Sequence, residues 1–451
     1  MQDYKFDKEA LLGLVKAGKY AELREKLTHL NEVDVADFME ELQTPQAMIV
    51  YGLLEKEVAA DVFANLPVKS QQALITSLDD HQLSAIIGEL SVDDAVDMID
   101  ELPANIVRRI LQHASPETRM LINRYLHYPE DSVGSIMTSE FVDLKKELTV
   151  QEAIERIRAI GKDKETIYTC YVTDSKHRLE GIATIKDLLF SSNETLVADI
   201  MEKDVISIHT TDDQELAAQL FNKYNFLSLP VVDTENRLVG IVTVDDAVDV
   251  MEDEATEDME KMAALAPSER PYLSTGVMEH ARHRIVWLLA LMVNGMITGS
   301  ILGRFEDAFV ALPILVTFIP MLTDTGGNAG SQSSTLIIRG LATQELEPKD
   351  WLAIVWKELR VSIVVGLILS SVNFLRIILT YKSVNILVAL TVSFAMVCTV
   401  MLAKLIGCML PLIAQKIHTD PAIMAAPLIT TIVDAMSLII YFSIAKTLLH
   451  I

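Results

Sequence analysis

Five apolar runs, at about 285–303, 308–337, 359–380, 384–414 and 421–449, constrain this chain more than any other feature. Each is long enough for the ~20 residues that a helix needs to cross a bilayer. Lipid offers no partner to backbone N–H and C=O groups, so such a half is expected to fold as packed helices. The second and fourth runs exceed that length, and Pro313, Pro320 and Pro411 predict kinks in them. Charge divides the chain at the same place. Residues 1–280 hold 54 acidic and 26 basic side chains, whereas residues 281–451 hold 9 and 12. A single soluble globule does not divide like that; an acidic soluble region joined to a membrane domain does. The acidic surface also excludes a nucleic-acid partner, because phosphates would be repelled. Cys170, Cys398 and Cys408 have neither disulfide nor metal-ligand spacing. The opening MQDYKFDKEALLGLVKAGKY has no continuous apolar run, so a cytosolic N-terminus is expected. Five spans would then put the C-terminus outside. The basic residues agree: Arg282, Arg284, Arg339, Lys349, Lys357, Arg360 and Lys416 would be cytoplasmic, against Arg304, Arg376, Lys382 and Lys446 outside.

The soluble region begins with a repeat. Leu30, Leu42, Leu54, Leu66, Leu78, Leu90 and Leu102 fall at every twelfth position, several followed by Asn, Pro, Asp or Ser. This predicts short helices of about two turns, stacked as a right-angled or superhelical array with the leucines in the core. The acids between them, including Asp93 and Asp97, read by default as a solvated face.

A second repeat comes next. TDSKHRLEGIATIKDLL (173–189) and VDTENRLVGIVTVDDAV (232–248) align at an offset of 59, with seven of seventeen positions identical. Each unit runs strand, helix, strand, turn, strand, helix. The two units resemble a tandem pair of CBS domains over their whole length. In that family the G-h-h-T-x-x-D segment can hold adenosine nucleotides. The resemblance therefore implies ATP contacts at Thr184 with Asp187 and at Thr243 with Asp246, although many such pairs are empty or purely structural.

Residues 244–267 combine apolar positions at threes and fours with a dense acidic run and one base, Lys261. A long amphipathic helix is expected. Asp245 with Asp249, Asp249 with Asp253 and Asp253 with Glu257 are like charges four residues apart and would destabilise it alone. Cation neutralisation is the sharper reading, a merely solvated acidic helix the plainer one. PSERPYLSTG (267–276) then reads as a linker.

Polar atoms within the apolar runs carry the functional signal. Asp434 lies near the middle of the last run, with no base within a helical turn in its own sequence. An aspartate at the bilayer centre costs about 2.5–3.5 kcal/mol on insertion scales. It marks a cation pathway, or else a protonated carboxyl bonded to a neighbouring helix. In PMLTDTGGNAGSQSSTLIIRGLA (320–342) the proline and glycines predict a broken or bent second span, and carbonyls exposed by a break would be cation ligands. Small-residue helix packing is the alternative. No GK[ST] follows, so this is not a phosphate loop.

Over essentially its whole length the chain resembles the MgtE family of magnesium channels and transporters. The motifs PMLTDTGGNAGSQSSTLIIR, TDPAIMAAPLITTIVD and VDDAVDVMEDEATED occur in order. The implied architecture is a multidomain membrane protein. An α-helical superhelical N-domain (1–130) precedes an α/β tandem CBS pair (131–198 and 199–252). A long acidic connecting helix with its linker (253–276) leads to an all-α five-span transmembrane domain (277–451).

The resemblance implies Mg²⁺ uptake by a homodimer in the plasma membrane, with Asp434 facing the ion; the polar atoms of 320–342 add Asn328 and Gly327 as candidate pore ligands, and Asp324 is an extra acid that would add a cation site. It also implies that internal Mg²⁺ closes the pore by binding carboxylates. Those are Asp61, Asp93 and Asp97 in the N-domain and Asp213, Glu215, Asp246 and Asp249 in the CBS region. On the connecting helix they are Glu254, Glu257 and Asp258. Asn225, Ala426 and Asp324 depart from the family pattern: a weaker sensing site, a lost polar pore residue and an added acid. An intramembrane protease would need H-E-x-x-H, which does not occur, so no enzyme is expected. A nucleotide-gated anion channel would want basic residues or helix N-termini in its pore rather than Asp434.

Overall fold

The computed structural model describes residues 7–90, 92–268, 272–273, 275–381, 384–424 and 426–450; the side chains of Glu57, Val92, Asp93, Asp97, Asp100, Glu101, Asp163, Phe309 and Ala426 lie outside that description. Two compact units emerge, 1–251 and 252–451.

The first unit starts with ten described helices, α1–α10, between Lys8 and Tyr125, each of 8–10 residues. The twelve-residue leucines sit at the helix ends. Leu78 and Leu90 are the C-cap residues after Val68–Ser77 and Asp80–Glu89, and Leu66 and Leu102 lie in the same turns. Leu66, Leu78, Leu90 and Leu102 are all buried, and each contributes roughly 1.5–3 kcal/mol by leaving water. The next residue restarts the helix: Asn31 caps α3, and Asp79 forms a capping box with Gln82. Packing skips one helix, α3 on α5, α5 on α7 and α7 on α9, with α4 on α6 and α8 on α10 alongside. That alternation makes a superhelical array from helices too short to stand alone.

After α11 (Val133–Ile136) come two similar α/β pieces. In one, β1 (Asp143–Leu144) pairs parallel with β2 (Thr169–Thr173), which pairs antiparallel with β3 (Leu179–Thr184). Around this sheet lie α12 (Val150–Ile160), α13 (Ile185–Phe190) and α14 (Val197–Ile200). In the other, β4 (Ile208–His209), β5 (Ser228–Val232) and β6 (Leu238–Thr243) repeat the pattern, with α15 (Gln214–Tyr224) between β4 and β5. The strands β2 and β5, and β3 and β6, keep the sequence offset of 59, and both pairs carry a bulge at the same place. The pieces exchange edges: Thr138 bridges Ile241 of β6, and Glu202 bridges Ile182 of β3. The repeated glycine explains the close approach. A Cβ at Gly181 would lie 2.8 Å from the Glu202 carbonyl oxygen, and one at Gly240 2.8 Å from that of Thr138. Tyr171 and Ser228 share a buried hydroxyl hydrogen bond of 2.7 Å between the two sheets.

Helix α16 (Val244–Met262) forms despite its like charges. Asp245 and Asp246 occupy its first turn, where the helix dipole favours negative charge, and Lys261 its last. Ala247 and Val250 are buried.

The second unit contains α17 (Val277–Gly303), α18 (Glu306–Ala311), α19 (Ile319–Ala342), α20 (Trp351–Thr380), α21 (Ile386–Lys416) and α22 (Ala426–Leu449). Helix α21 lies at its centre, against α19, α20 and α22, around Phe318, Val392, Met396, Val400, Val433, Tyr441 and Phe442. None of the described residues of α17 is buried, and Leu288, Met292 and Met296 are exposed.

Two expectations need correction. Among the described residues four helical segments are long and apolar enough to cross a membrane: 277–303, 348–380, 386–416 and 421–449. The second apolar run is not one continuous helix, and its later part belongs to α19. Its start is divided between α18 and a 3-10 segment, Pro313–Phe318, because Pro313 cannot donate to a preceding turn. Nor do Pro320 and the glycines break the remainder of that run. Helix α19 is continuous for 24 residues, with Pro320 in its first turn, where the missing N–H costs nothing.

Candidate functional site

The glycines of α19 act as packing positions. A Cβ at Gly326 would stand 2.9 Å from Val433 Cγ1 and 3.1 Å from Ser437 Oγ, and one at Gly327 2.9 Å from Thr430 Cγ2. A Cβ at Gly407 of α21 would collide with the Gly330 carbonyl. The freed carbonyls expected at a helix break are therefore absent, and the Gly327 carbonyl accepts the Ser331 hydroxyl at 2.9 Å. Small residues instead bring three helix backbones together.

Asp434, half-buried, sits on α22 one turn beyond Thr430 and one turn before Ser437, the residues that pack on Gly327 and Gly326. The helix that packs on either side of it, α19, carries Asp324 two residues before Gly326. Asp324 and Asn328, four residues apart on α19, are exposed, as are Gln332 and Thr335 further along. They form a polar stripe on a helix whose other face buries Leu322, Ala329, Ile337 and Ile338. The buried hydroxyls of Thr399 and Ser437 beside Gly326 have no described protein partner, and such oxygens suit ordered water. Ala426, one of the departures, has its side chain outside the described residues.

One charged group escaped the sequence reading. Lys404 of α21 is 5% exposed and donates to Ser333 Oγ at 3.1 Å. Ser333 in turn donates to Glu358 Oε2 of α20 at 2.6 Å, and the Lys404 and Glu358 charges are 3.7 Å apart. The pair joins three helices, and its signal in the sequence was a lysine within an apolar run. Removing one partner leaves a buried charge uncompensated. Lys404→Met should therefore cost about 3–5 kcal/mol, whereas adding Glu358→Met should return most of it. Thermal unfolding of the detergent-solubilised chain reads both, and equal loss in the single and double variants would contradict this account.

The cytoplasmic carboxylates are dispersed. Asp61 is exposed on α5 (Lys56–Ala64). Asp93 and Asp97 fall on α8 (Val92–Glu101), but their side chains lie outside the described residues. Asp213 caps α15 by accepting the Glu215 N–H at 2.9 Å, and Glu215 is half-buried. On α16, Asp249 is exposed and Asp246, Glu254, Glu257 and Asp258 are half-buried. Burial raises the Asp246 pKa, the Thr243 hydrogen bond opposes that, and the neighbouring Asp245 and Asp249 charges add to the rise. Burial, with Glu252, also pushes Asp253 upward. Among the described residues no three His, Cys, Asp or Glu side chains converge as a metal-holding group. Asn225 closes α15 in the left-handed conformation, at φ 55°, which gives asparagine a local backbone reason to be there.

The T-x-x-D motifs serve as matched helix caps. Thr184 Oγ1 donates to Asp187 Oδ2 at 2.5 Å, and the Asp187 N–H donates to Thr184 Oγ1 at 3.2 Å. Thr243 Oγ1 likewise donates to Asp246 Oδ2 at 2.5 Å.

Comparison with known proteins joins these pieces. The family model described as divalent cation transporter matches residues 319–444, the MgtE intracellular N domain matches 30–131, and CBS domains match 133–194 and 197–253. The magnesium transporter MgtE of Thermus thermophilus is 38% identical over 440 residues, 97% of each chain. The chain belongs to the MgtE family. The Bacillus subtilis magnesium transporter MgtE is 31% identical over 437 residues, covering 97% of this chain and 96% of that one. Two solved structures resemble the soluble region. A crystal structure of the soluble part of a magnesium transporter aligns with 55% of this chain and 98% of its own, at 33% identity and TM-score 0.52. The cytosolic domain of the Mg²⁺ channel MgtE in complex with ATP aligns with 54% and 99%, at 37% identity and TM-score 0.51.

Proposed function

We propose that this MgtE-family chain is a Mg²⁺-selective channel or transporter for magnesium uptake across the plasma membrane. It works as a homodimer and is closed when internal Mg²⁺ binds its acidic cytoplasmic region. The observation that carries the reading is the polar stripe of Asp324 and Asn328 on α19, exposed on the single chain beside Asp434 of α22. Within a bilayer such a stripe must face protein or water. A second copy opposite it would enclose a polar path, with one Asp434 from each subunit. In that reading five spans, α19 among them, put the N-terminal half in the cytosol and the C-terminus outside.

Mg²⁺ is small and sheds water reluctantly, so its path needs few direct ligands. Asp434, Asn328 and Asp324 would bind the water shell of the ion, Gly327 would set the α19–α22 spacing, and Thr399 and Ser437 would hold waters nearby. The names of the two relatives that match nearly the whole chain, both magnesium transporter MgtE, support this cargo.

Closure would come from Asp61, Asp93, Asp97, Asp213, Glu215, Asp246, Asp249, Glu254 and Asp258, whose mutual repulsion a bridging cation removes; Glu257, the tenth carboxylate of that set, is engaged by Lys261. The proposed division is N-domain 1–130, CBS domains 131–198 and 199–252, connecting segment 253–276, and membrane domain 277–451. The ATP complex of a related cytosolic domain supports ATP at the CBS pair, with Thr184, Asp187, Thr243 and Asp246 as contacts. Flux into proteoliposomes, with internal Mg²⁺ varied, tests the whole. Mg²⁺ influx that falls with internal Mg²⁺ by more than the lost gradient is the expected result; absence of influx would overturn the reading.

A further inference from the structure

Lys261, in the last turn of α16, is the lone base between Val244 and Pro267. Its ammonium lies 2.6 Å from Glu257 Oε1, one turn back on the same helix. It also lies 2.6 Å from Asp420 Oδ2, on the segment that leads through Pro421–Met424 into α22. Asp420 is held for this contact, since its other oxygen accepts the Ala422 N–H at 2.7 Å. Apolar packing adjoins the ion pairs: Met262 packs against Ile338 of α19 and Ala422. The chain beyond stays close, with the Ala266 N–H donating to the His283 carbonyl of α17 at 3.1 Å. The Ser268 N–H donates to Glu260 Oε2 at 2.8 Å. With two carboxylates at hydrogen-bond distance, the lysine is an ammonium cation at neutral pH.

Glu257 and Asp420 each reach within hydrogen-bond distance of one point. Without a positive charge at that point, the two carboxylates would repel and the end of α16 would be driven from the segment before α22. We propose that Lys261 is a built-in cation latch: its ammonium holds the last turn of α16 onto the α19–α22 core, in the place where two carboxylates would otherwise need a divalent ion. The proposal rests on the reading of α16 as the element through which internal Mg²⁺ closes the pore, and it divides that helix. Its end stays docked when Mg²⁺ is scarce, and divalent control falls to the acidic residues other than Glu257.

The test reads docking rather than flux. Cysteines replace Met262 and Ala422 in the full chain, with Cys170, Cys398 and Cys408 changed to Ser or Ala, and the protein is reconstituted in nanodiscs. The rate of oxidative cross-linking is measured in EDTA and in excess Mg²⁺. With Lys261 present, the two rates should agree within about twofold. Lys261→Met should slow cross-linking in EDTA by about tenfold or more, and Mg²⁺ should restore it, because the two carboxylates then need the ion. The exchange of Lys261→Asp with Asp420→Lys should restore rapid cross-linking in EDTA. That result also shows that loss in the single variant is not misfolding.

Cross-linking in EDTA that is unchanged by Lys261→Met would overturn the latch, as would a parent rate that itself needs Mg²⁺. The two readings fail separately. A latch that behaves as described in a protein without Mg²⁺ flux would refute transport alone. Mg²⁺-inhibited flux with a Lys261-independent rate would refute the latch alone.

Discussion

Asp434→Ala should abolish Mg²⁺ uptake while leaving an expressed, folded protein. The expected size comes from charge. A carboxylate about 5 Å from a hydrated Mg²⁺ attracts it by about 1.7 kcal/mol even at the dielectric of water, and more in a narrow path with apolar walls. Two subunits would lose about 3.3 kcal/mol together, or more than 100-fold in ion occupancy. Folding should tolerate the change, since Asp434 is half-buried and the α19–α22 crossing is packed by Gly326 and Gly327 against Val433 and Thr430. Alanine removes a charge there without overfilling the crossing. Asp434→Asn keeps the shape and should lose nearly as much flux, which separates charge from packing. Fluorescent-indicator uptake in proteoliposomes, alongside size-exclusion profiles, measures both. Uptake within twofold of the parent in either variant would show that the ion does not pass Asp434.

The second large effect is expected in the cytoplasmic region. Changing Asp93, Asp97 and Asp249 to Asn, together with Glu254→Gln, should leave influx intact at low internal Mg²⁺ and remove its inhibition at high internal Mg²⁺. Two carboxylates ~4 Å apart repel by about 4 kcal/mol at an effective dielectric near 20, so a few such pairs suffice to bias a two-state gate. Amides remove the repulsion and the ligands alike. The midpoint of inhibition should then move by at least about tenfold, which corresponds to about 1.4 kcal/mol. Glu257 is left in place because Lys261 already engages it, so this experiment does not disturb the latch. Patch-clamp of giant proteoliposomes with the cytoplasmic face perfused gives the midpoint directly. An unshifted midpoint would place Mg²⁺ sensing elsewhere.

The repeats were legible in the sequence because each reflects a local rule. Leucine every twelfth residue means a short helix, a buried helix end and a new cap, and Leu66, Leu78, Leu90 and Leu102 lie at such ends. The offset of 59 survives unchanged in the strands, since the same glycine must let a neighbouring backbone approach at Gly181 and at Gly240. Apolar length marked the membrane helices, and Asp434 stood out because nothing near it in sequence could neutralise it.

What the sequence left undecided are questions of which faces meet. Glycines and a proline in 320–342 are as compatible with a break as with a tight crossing. Only the neighbours Val433, Thr430 and Gly407 show that they serve a crossing, in which α19 keeps its own hydrogen bonds. Lys404 and Glu358 are 46 positions apart and become a pair only when α20 and α21 pack. Lys261 and Asp420 are further apart still, and they meet because the end of α16 lies on the segment before α22. By itself, then, the sequence determined the elements, the repeats and the family, since propensity, period and motif act over a few residues. The tertiary structure alone decided which buried charges are neutralised and by which partner, because that energy depends on distance in space.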